Sequence, residues 1–312
     1  MPKVRLTVTY IATLALCGCV STPLEEVRAF GKSSSSFATD GSKSFKLLTD
    51  SLAEGDLWRI AADPTANLTA DTFNGSDDER SIKDSARKLT AILVNVSEYG
   101  QALQKLAEAN FKKDIDDSAT KLNNSLEGLR STFEKDSGSK LNISSTDIQI
   151  LSAAVEGIGV LVAEAKRKHA IRQVVLKTDP AIQQVSHRLA ARFIHDIGPA
   201  VETYYSAAEA PLTAMYKEFN TNQSWKTKSY SERLDREEQI GKQEAVKQGI
   251  KPLFDQLSKT AQQMGEAHAA LAKAVEHNTF TTADLHAQVV ALVDYAESVK
   301  KFYDSLATGN KN

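Results

Sequence analysis

The amino-acid sequence predicts an all-α protein, an elongated up-and-down bundle of about six long helices. The 312-residue chain holds only 7 prolines and is rich in Ala, Leu, Lys, Glu and Gln, which favour helix. Apolar residues recur every three or four positions over most of its length, and alternating β-branched runs of strand length are missing from the sequence. Such amphipathic helices bury their apolar stripes against one another.

Residues 1–18 have the layout of a signal peptide. A basic start at Lys3 and Arg5 precedes an apolar run over residues 6–16. The run covers about 11 residues, whereas a helix that spans a bilayer needs about 20. It is therefore too short to remain as a membrane anchor.

The segment Leu16-Cys17-Gly18-Cys19 resembles the signal of bacterial lipoproteins. In that family, a dedicated peptidase cuts before the last cysteine of a Leu-x-Gly/Ala-Cys box, once a diacylglycerol is attached to the thiol. The resemblance implies cleavage after Gly18 and a lipid on Cys19, the first residue of the mature chain. A general secretory signal, the alternative, ends in a small-x-small site, which residues 15–17 fit poorly. Because Val20 rather than Asp follows the cysteine, the resemblance also favours the outer membrane.

Residues 19–312 are predicted to form one helical domain, with a candidate boundary near residues 220–231, where the periodicity lapses. Both cysteines lie in the signal region, so the mature domain has no pair for a disulfide and no free thiol for catalysis. Basic residues are scattered among acidic ones, with a formal charge of −2. This near balance argues against nucleic-acid binding.

The first helix allows two interpretations. Within residues 31–44, 8 of 14 residues are Gly or Ser, which is the composition of a flexible tether. Phe30, Phe37 and Phe45 nevertheless keep helical spacing, and phenylalanines are unusual in a tether. We favour a packed helix whose small residues face a neighbour. If this helix starts at Leu24, the bundle lies close to the membrane surface.

The other helices are predicted from apolar stripes at helical spacing, and the first of these continues as the same segment from Ile82 to Phe133. The stripes cover residues 82–133, 148–162, 182–204, 253–275 and 285–306. Polar stretches over residues 63–78 and 136–139 predict loops between them.

Prolines add further expectations about helix ends. Asp179-Pro180 predicts a helix start, since Asp caps helices and Pro is favoured at the first helical position. Pro199, Pro211 and Pro252 lie inside helical patterns and should kink or divide those helices.

Two of the helical segments share a pattern in which an acidic residue precedes a tyrosine, at Tyr99 and at Tyr295. The shared pattern is compatible with a duplicated unit, but helices of this type also resemble one another by chance. Apart from duplication, each tyrosine is expected at the core boundary with its hydroxyl pointing outward.

Motifs for catalysis or metal binding are missing from the sequence. It holds six histidines and has neither paired Glu-x-x-His turns nor a His-Glu-x-x-His zinc motif, a P-loop or a nucleophile elbow. His187 and His195 are eight residues apart and could share a helix face with Arg188 and Arg192. A solvated polar face is the favoured interpretation of that cluster, and an anion or proton site is the alternative. We predict no enzyme activity, no cofactor and no metal site.

Residues 148–165 support an alternative function. This stretch is the most apolar internal segment, it is followed by the basic residues 166–168, and it places Ala153 and Gly157 at the spacing of membrane helices. A bundle that releases such a helix into a bilayer would act as a pore-forming or membrane-inserting protein. The favoured interpretation is a buried core helix, since Glu156 and other polar residues interrupt the run.

The predicted function is a lipid-anchored, non-enzymatic interaction or scaffold module of the bacterial envelope. Its predicted partners are the membrane, through the lipid on Cys19, and an envelope protein on the periplasmic side of the outer membrane. The segment around Trp225 and Tyr230, with aromatic residues among dense mixed charge, is the candidate partner surface. The alternative for that segment is an ordinary loop and a solvated helix start.

Overall fold

The computed structural model describes residues 22–62, 69, 75–138, 140–141, 163–206, 211–221, 226–277 and 282–307. The long elements within these ranges are all helices, which confirms the predicted all-α class. Gly18, Cys19 and Trp225 lie outside the described residues, as does nearly all of the apolar segment 148–165.

Six of the described helices are long, which agrees with the predicted bundle. These are α1 (Leu24–Ala62), α2 (Asp77–Glu108), α3 (Lys112–Ser137), α4 (Ala163–Ala191), α7 (Tyr230–His277) and α8 (Thr282–Ala307). A π-helical turn (Arg192–Ile197) leads from α4 into the short helix α5 (Gly198–Ser206), and α6 (Pro211–Thr221) is also short.

Contacts between helices define an up-and-down arrangement, in which α2 and α7 run opposite to α1, α3, α4 and α8. Two contacts set the relative direction of each of five helix pairs. They are Ser35–Ser97 and Gly41–Leu93 for α1 and α2, Gly41–Leu257 and Ser51–Gln243 for α1 and α7, Thr178–His268 and Ala190–Ser258 for α4 and α7, Gln263–Gln288 and Gln256–Tyr295 for α7 and α8, and Lys166–Asp116 and Arg188–Asp136 for the parallel pair α3 and α4.

The Ser- and Gly-rich segment is helical, so the packed-helix interpretation of residues 31–44 is confirmed. Its small residues face α2. A Cβ built on Gly31 would lie 2.6 Å from the carbonyl oxygen of Gly100, and one built on Gly100 would lie 2.5 Å from that of Gly31. Glycine at both positions therefore lets the two helix backbones touch.

The prediction of one continuous segment from Ile82 to Phe133 is wrong. The chain turns at residues 109–111, where Ala109 leaves the helical conformation (φ −64°, ψ 125°) and ends α2. Helix α3 then packs back along α2, and Asn95 Nδ2 donates to Thr132 Oγ1 at 3.2 Å. Both helices turn an apolar stripe toward the same core, so spacing alone does not reveal where the chain reverses.

The predicted helix start at Asp179-Pro180 is also wrong, because both residues lie inside α4. The Asp179 carboxylate does not cap a helix. It accepts hydrogen bonds from His268 Nδ1 at 2.9 Å and from Gln183 Nε2 at 3.2 Å. The side chain that the local sequence assigned to helix capping therefore makes a tertiary contact instead.

The remaining prolines act differently from one another. Pro211 is the first residue of α6, a position at which the missing amide proton costs little, whereas Pro199 comes two residues after the π-helical turn within a continuous helical run. Pro252 lies inside α7, which continues on both sides of it, so the chain is not divided there.

Candidate functional site

The end of the bundle opposite Leu24, called the distal end below, carries a candidate partner surface. It is formed by the last turns of α1, by α6 and by the first turns of α7. The 39 residues of α1 place it about 58 Å from Leu24, at 1.5 Å per residue. Tyr230 begins α7 at this end and is 74% exposed, whereas its predicted companion Trp225 lies outside the described residues.

A small second hydrophobic cluster fixes α6 at the distal end. Leu212 and Met215 of α6 and Ile240 of α7 are buried together, and Trp58 of α1 and Phe219 of α6 pack against them. This cluster is separate from the main core. The distal end is therefore a packed platform with its own apolar centre.

Arg236 completes this platform. Its guanidinium carbon lies 3.0 Å from the ring centroid of Trp58, and its Nη2 donates to Glu218 Oε2 at 2.7 Å. Arg236 is only 8% exposed, so the carboxylate and the aromatic ring compensate a largely desolvated charge. Through these contacts one side chain of α7 joins α1 to α6.

Several apolar side chains are exposed around the platform. Leu57 of α1 is 56% exposed, Tyr216 of α6 is 42% exposed, and Leu234 of α7 is 39% exposed. With Tyr230, they combine aromatic and aliphatic groups on three helices at one end of the bundle. Aromatic residues within a polar rim are typical of surfaces that bind proteins.

A second polar arrangement lies inside the bundle, centred on His268 of α7. Its Nε2 lies 2.8 Å from the Tyr99 hydroxyl of α2, and its Nδ1 lies 2.9 Å from Asp179 Oδ1 of α4. Thr178 Oγ1 is 3.0 Å from the same tyrosine oxygen. Phe30 of α1 packs edge-on against the imidazole at 5.3 Å between ring centroids. Four helices meet at this residue.

Burial and pairing shift the pKa values of two groups in this network. Burial opposes ionisation of Asp179, but the hydrogen bond and charge interaction with His268, the hydrogen bond from Gln183 and the charge of Lys273 together outweigh that effect and hold the pKa of the carboxyl below its ordinary value of 3.8. Burial raises the pKa of Tyr99 well above its ordinary value of 10.0. Tyr99 therefore keeps its proton and its hydrogen bonds at neutral pH.

The series of Asp179, His268 and Tyr99 would form a proton relay in an open cleft. Tyr99, Thr178 and His268 are each at most 1% exposed, and a substrate must contact the group that reacts with it. The arrangement instead acts as a buried hydrogen-bond network that sets how α2, α4 and α7 align.

Sequence reasoning missed this network and misplaced one of its members. Tyr99 was expected to point its hydroxyl outward, and the structure places that hydroxyl in the core. One signal could have singled out His268. It follows Met264 by four residues and precedes Leu271 by three, so it occupies the apolar stripe of its helix.

His187 and His195 are both exposed; His187 lies in α4, and His195 lies within the π-helical turn that begins at Arg192. Arg192 pairs with Asp196 at 2.7 Å and with Asp136 at 3.5 Å. In the described ranges, no group of three or more His, Cys, Asp or Glu side chains is placed to hold a metal ion.

Helices α1, α2 and α8 border a groove of about 620 Å³. Its rim carries Arg28, Lys32 and Lys300 beside Glu108 and Glu297, a mixture that favours neither anions nor cations. None of the helices in the described part of the chain is long and apolar enough to cross a membrane.

Comparisons with protein-family models, curated proteins and solved structures find no match to this chain. The functional interpretation therefore depends on the residues and the geometry described above.

Proposed function

We propose that this protein is a lipid-anchored, non-enzymatic interaction or scaffold module of the bacterial envelope. The lipid is carried by Cys19 and holds the chain to the outer membrane, and the bundle faces the periplasm. One observation carries the proposal: exposed aromatic and aliphatic side chains gather at the distal end, about 58 Å along α1 from the helix terminus nearest to Cys19.

The position of the anchor supports this arrangement. Four residues separate Cys19 from Leu24, and the five Cα–Cα steps between them reach about 17 Å when fully extended. The lipid therefore holds the start of α1 close to the bilayer. A bundle that stands away from the bilayer then presents Tyr230 to proteins deeper in the periplasm.

The partner is proposed to be a protein. The distal end offers Leu57, Tyr216, Tyr230 and Leu234 as apolar contacts, and charged residues surround them on the exposed start of α7. An apolar centre with a charged rim suits another protein surface. The buried Arg236–Trp58–Glu218 contact keeps this surface rigid, which lowers the entropy lost on binding.

Cell fractionation tests the anchor. The Cys19→Ser variant should appear in the soluble periplasmic fraction, whereas the unaltered chain should sediment and float with membranes. A variant that still floats with membranes would contradict the proposed lipid attachment.

Site-specific photo-crosslinking in cells tests the surface. A photoreactive amino acid at Tyr230 should capture a defined envelope protein, and the same amino acid at Val94 serves as the matched control. Val94 is 44% exposed on α2, away from the distal end. Capture should fall when Leu234 is changed to Ser in the same chain. Identical products from both positions, or none from Tyr230, would count against the partner surface.

A further inference from the structure

Phe111 is a large apolar side chain whose exposure to solvent is not explained by the packing of the described residues. It lies in the turn between α2 and α3 and is 71% exposed. It also occupies the N-cap position of α3, where its side chain makes no capping hydrogen bond. Ser, Thr, Asp or Asn at such a position typically contributes about 1 kcal/mol to helix stability. Folding therefore gives no reason for a phenylalanine here.

The turn that carries Phe111 lies at the same end of the bundle as the start of α1. Gly31 and Gly100 touch and so mark one level along the antiparallel pair α1 and α2. From that level, α1 extends about 10 Å back to Leu24 and α2 extends about 12 Å forward to Glu108. Phe111 follows three residues later and reaches the level of Leu24 or slightly beyond it.

The turn is held in place by contacts from α4. Arg167 Nη1 donates to the carbonyl oxygen of Ala109 at 2.8 Å and lies 3.4 Å from Asn110 Oδ1. Lys166, which is 2% exposed, donates to Asp116 Oδ1 at 3.0 Å in the first turns of α3. Because both sides of the turn are fixed, Phe111 is held in its exposed position at little further entropic cost.

We propose that Phe111 inserts into the lipid surface of the membrane that holds Cys19. This inference rests on the lipid attachment proposed above. The anchor keeps Leu24 within about 17 Å of the lipidated residue, which is close enough for the level of Phe111 to reach the bilayer interface. Its ring enters the boundary between headgroups and acyl chains, and the exposed Lys113 beside it remains at the headgroups.

The main effect of this contact is orientation. The acyl chains on Cys19 supply the affinity, and a second contact on another helix fixes which face of the bundle end meets the membrane. The bundle then stands end-on, with the distal end directed away from the bilayer. A tether alone would let it lie along the surface.

Environment-sensitive fluorescence tests the proposal on the full-length, lipidated chain. Cys17 is removed with the signal and Cys19 is acylated, so a Phe111→Cys substitution provides a single thiol for a nitrobenzoxadiazole label. The labelled protein is reconstituted into vesicles of phosphatidylethanolamine and phosphatidylglycerol. Tyr230→Cys, at the opposite end and similarly exposed, is the matched control. Lys113→Cys provides a second position two residues later, in the first turn of α3.

The label at position 111 should show a blue shift and a several-fold rise in emission on reconstitution, and nitroxide-bearing lipids should quench it. The label at position 230 should keep the emission that it shows in water, and the nitroxide-bearing lipids should not quench it. Protein that floats with vesicles while the labels at positions 111 and 113 stay water-like would overturn the insertion and leave the lipid anchor standing. Protein that does not float would overturn both proposals. If the label at position 111 is shielded from water in native envelopes but not in vesicles, a protein partner covers the turn, and the proposed lipid contact is overturned.

Discussion

The contact between Gly31 and Gly100 allows a sharp test of the bundle. In Gly31→Ala, the new methyl group would lie 2.6 Å from the carbonyl oxygen of Gly100 and 2.8 Å from the amide nitrogen of Gln104. Both neighbours are backbone atoms, so no side chain can rotate away. Ordinary contact begins near 3.4 Å, so α1 and α2 must separate by about 0.8 Å.

The expected loss of stability follows from this separation. A gap of that size forfeits about a quarter to a half of the dispersion attraction at each contact along the pair. Overpacking against unyielding atoms costs about 3 kcal/mol, and the higher helix propensity of alanine offsets about 1 kcal/mol of it. Gly31→Ala should therefore lower the free energy of unfolding by about 2 kcal/mol. Gly100→Ala should do the same, and the double variant should lose less than the sum, because the helices are already apart.

Gly241→Ala is the matched control. Gly241 lies in the exposed first half of α7, and a Cβ there meets nothing within 4 Å. The same substitution should raise the free energy of unfolding by about 1 kcal/mol. Gly128→Ala should fall between the two, since its Cβ meets the side chain of Asn95, which can rotate.

Urea unfolding followed by far-ultraviolet circular dichroism measures all of these variants on one scale. The decisive quantity is the sign of the difference between Gly31→Ala and Gly241→Ala. If Gly31→Ala stabilises the protein as much as Gly241→Ala does, α1 and α2 do not meet at these glycines and the predicted contact is refuted.

Three further predictions concern the polar contacts. Tyr99→Phe should lower the free energy of unfolding by about 1–3 kcal/mol in urea, because it leaves His268 Nε2 without its 2.8 Å partner; an unchanged midpoint would contradict the network. The pKa of Asp179 is lowered in the folded protein, so its ionised form stabilises the fold above pH 3.8 and this contribution is lost as the pH falls through the lower folded value. Asp179→Asn should therefore flatten the decline of the urea midpoint in acid, and an equally steep decline would exclude this group as its source. Arg236→Lys keeps the charge but loses the planar stacking on Trp58. This variant should lower the free energy of unfolding by about 1 kcal/mol and red-shift the tryptophan emission. If its emission and its stability both equal those of the wild type, the stacking contributes little.

Local sequence was sufficient to predict the fold class and the helical character of the apolar stripes, but not where each long helix begins and ends. Each stripe has helical periodicity whatever its neighbours are. The spacing of Phe30, Phe37 and Phe45 indicated the helix inside the Ser- and Gly-rich segment. The exposed position of Tyr230 could also be proposed from the density of charge around it. The chemistry proposed for Cys19 depends on a short linear motif and needs no tertiary contact.

Tertiary structure decided where the chain reverses, what the polar residues in the stripes do and which residues share an end of the bundle. Asp179-Pro180 has the local signature of a helix start, yet the carboxylate bonds to His268, which lies 89 residues further along the chain. Phe111 and Leu24 are far apart in sequence and reach the same level because Gly31 and Gly100 align α1 with α2. An apolar stripe shows which face of a helix is buried. The helix against which that face packs is set by packing among all the helices, so the sequence of a single helix does not determine it.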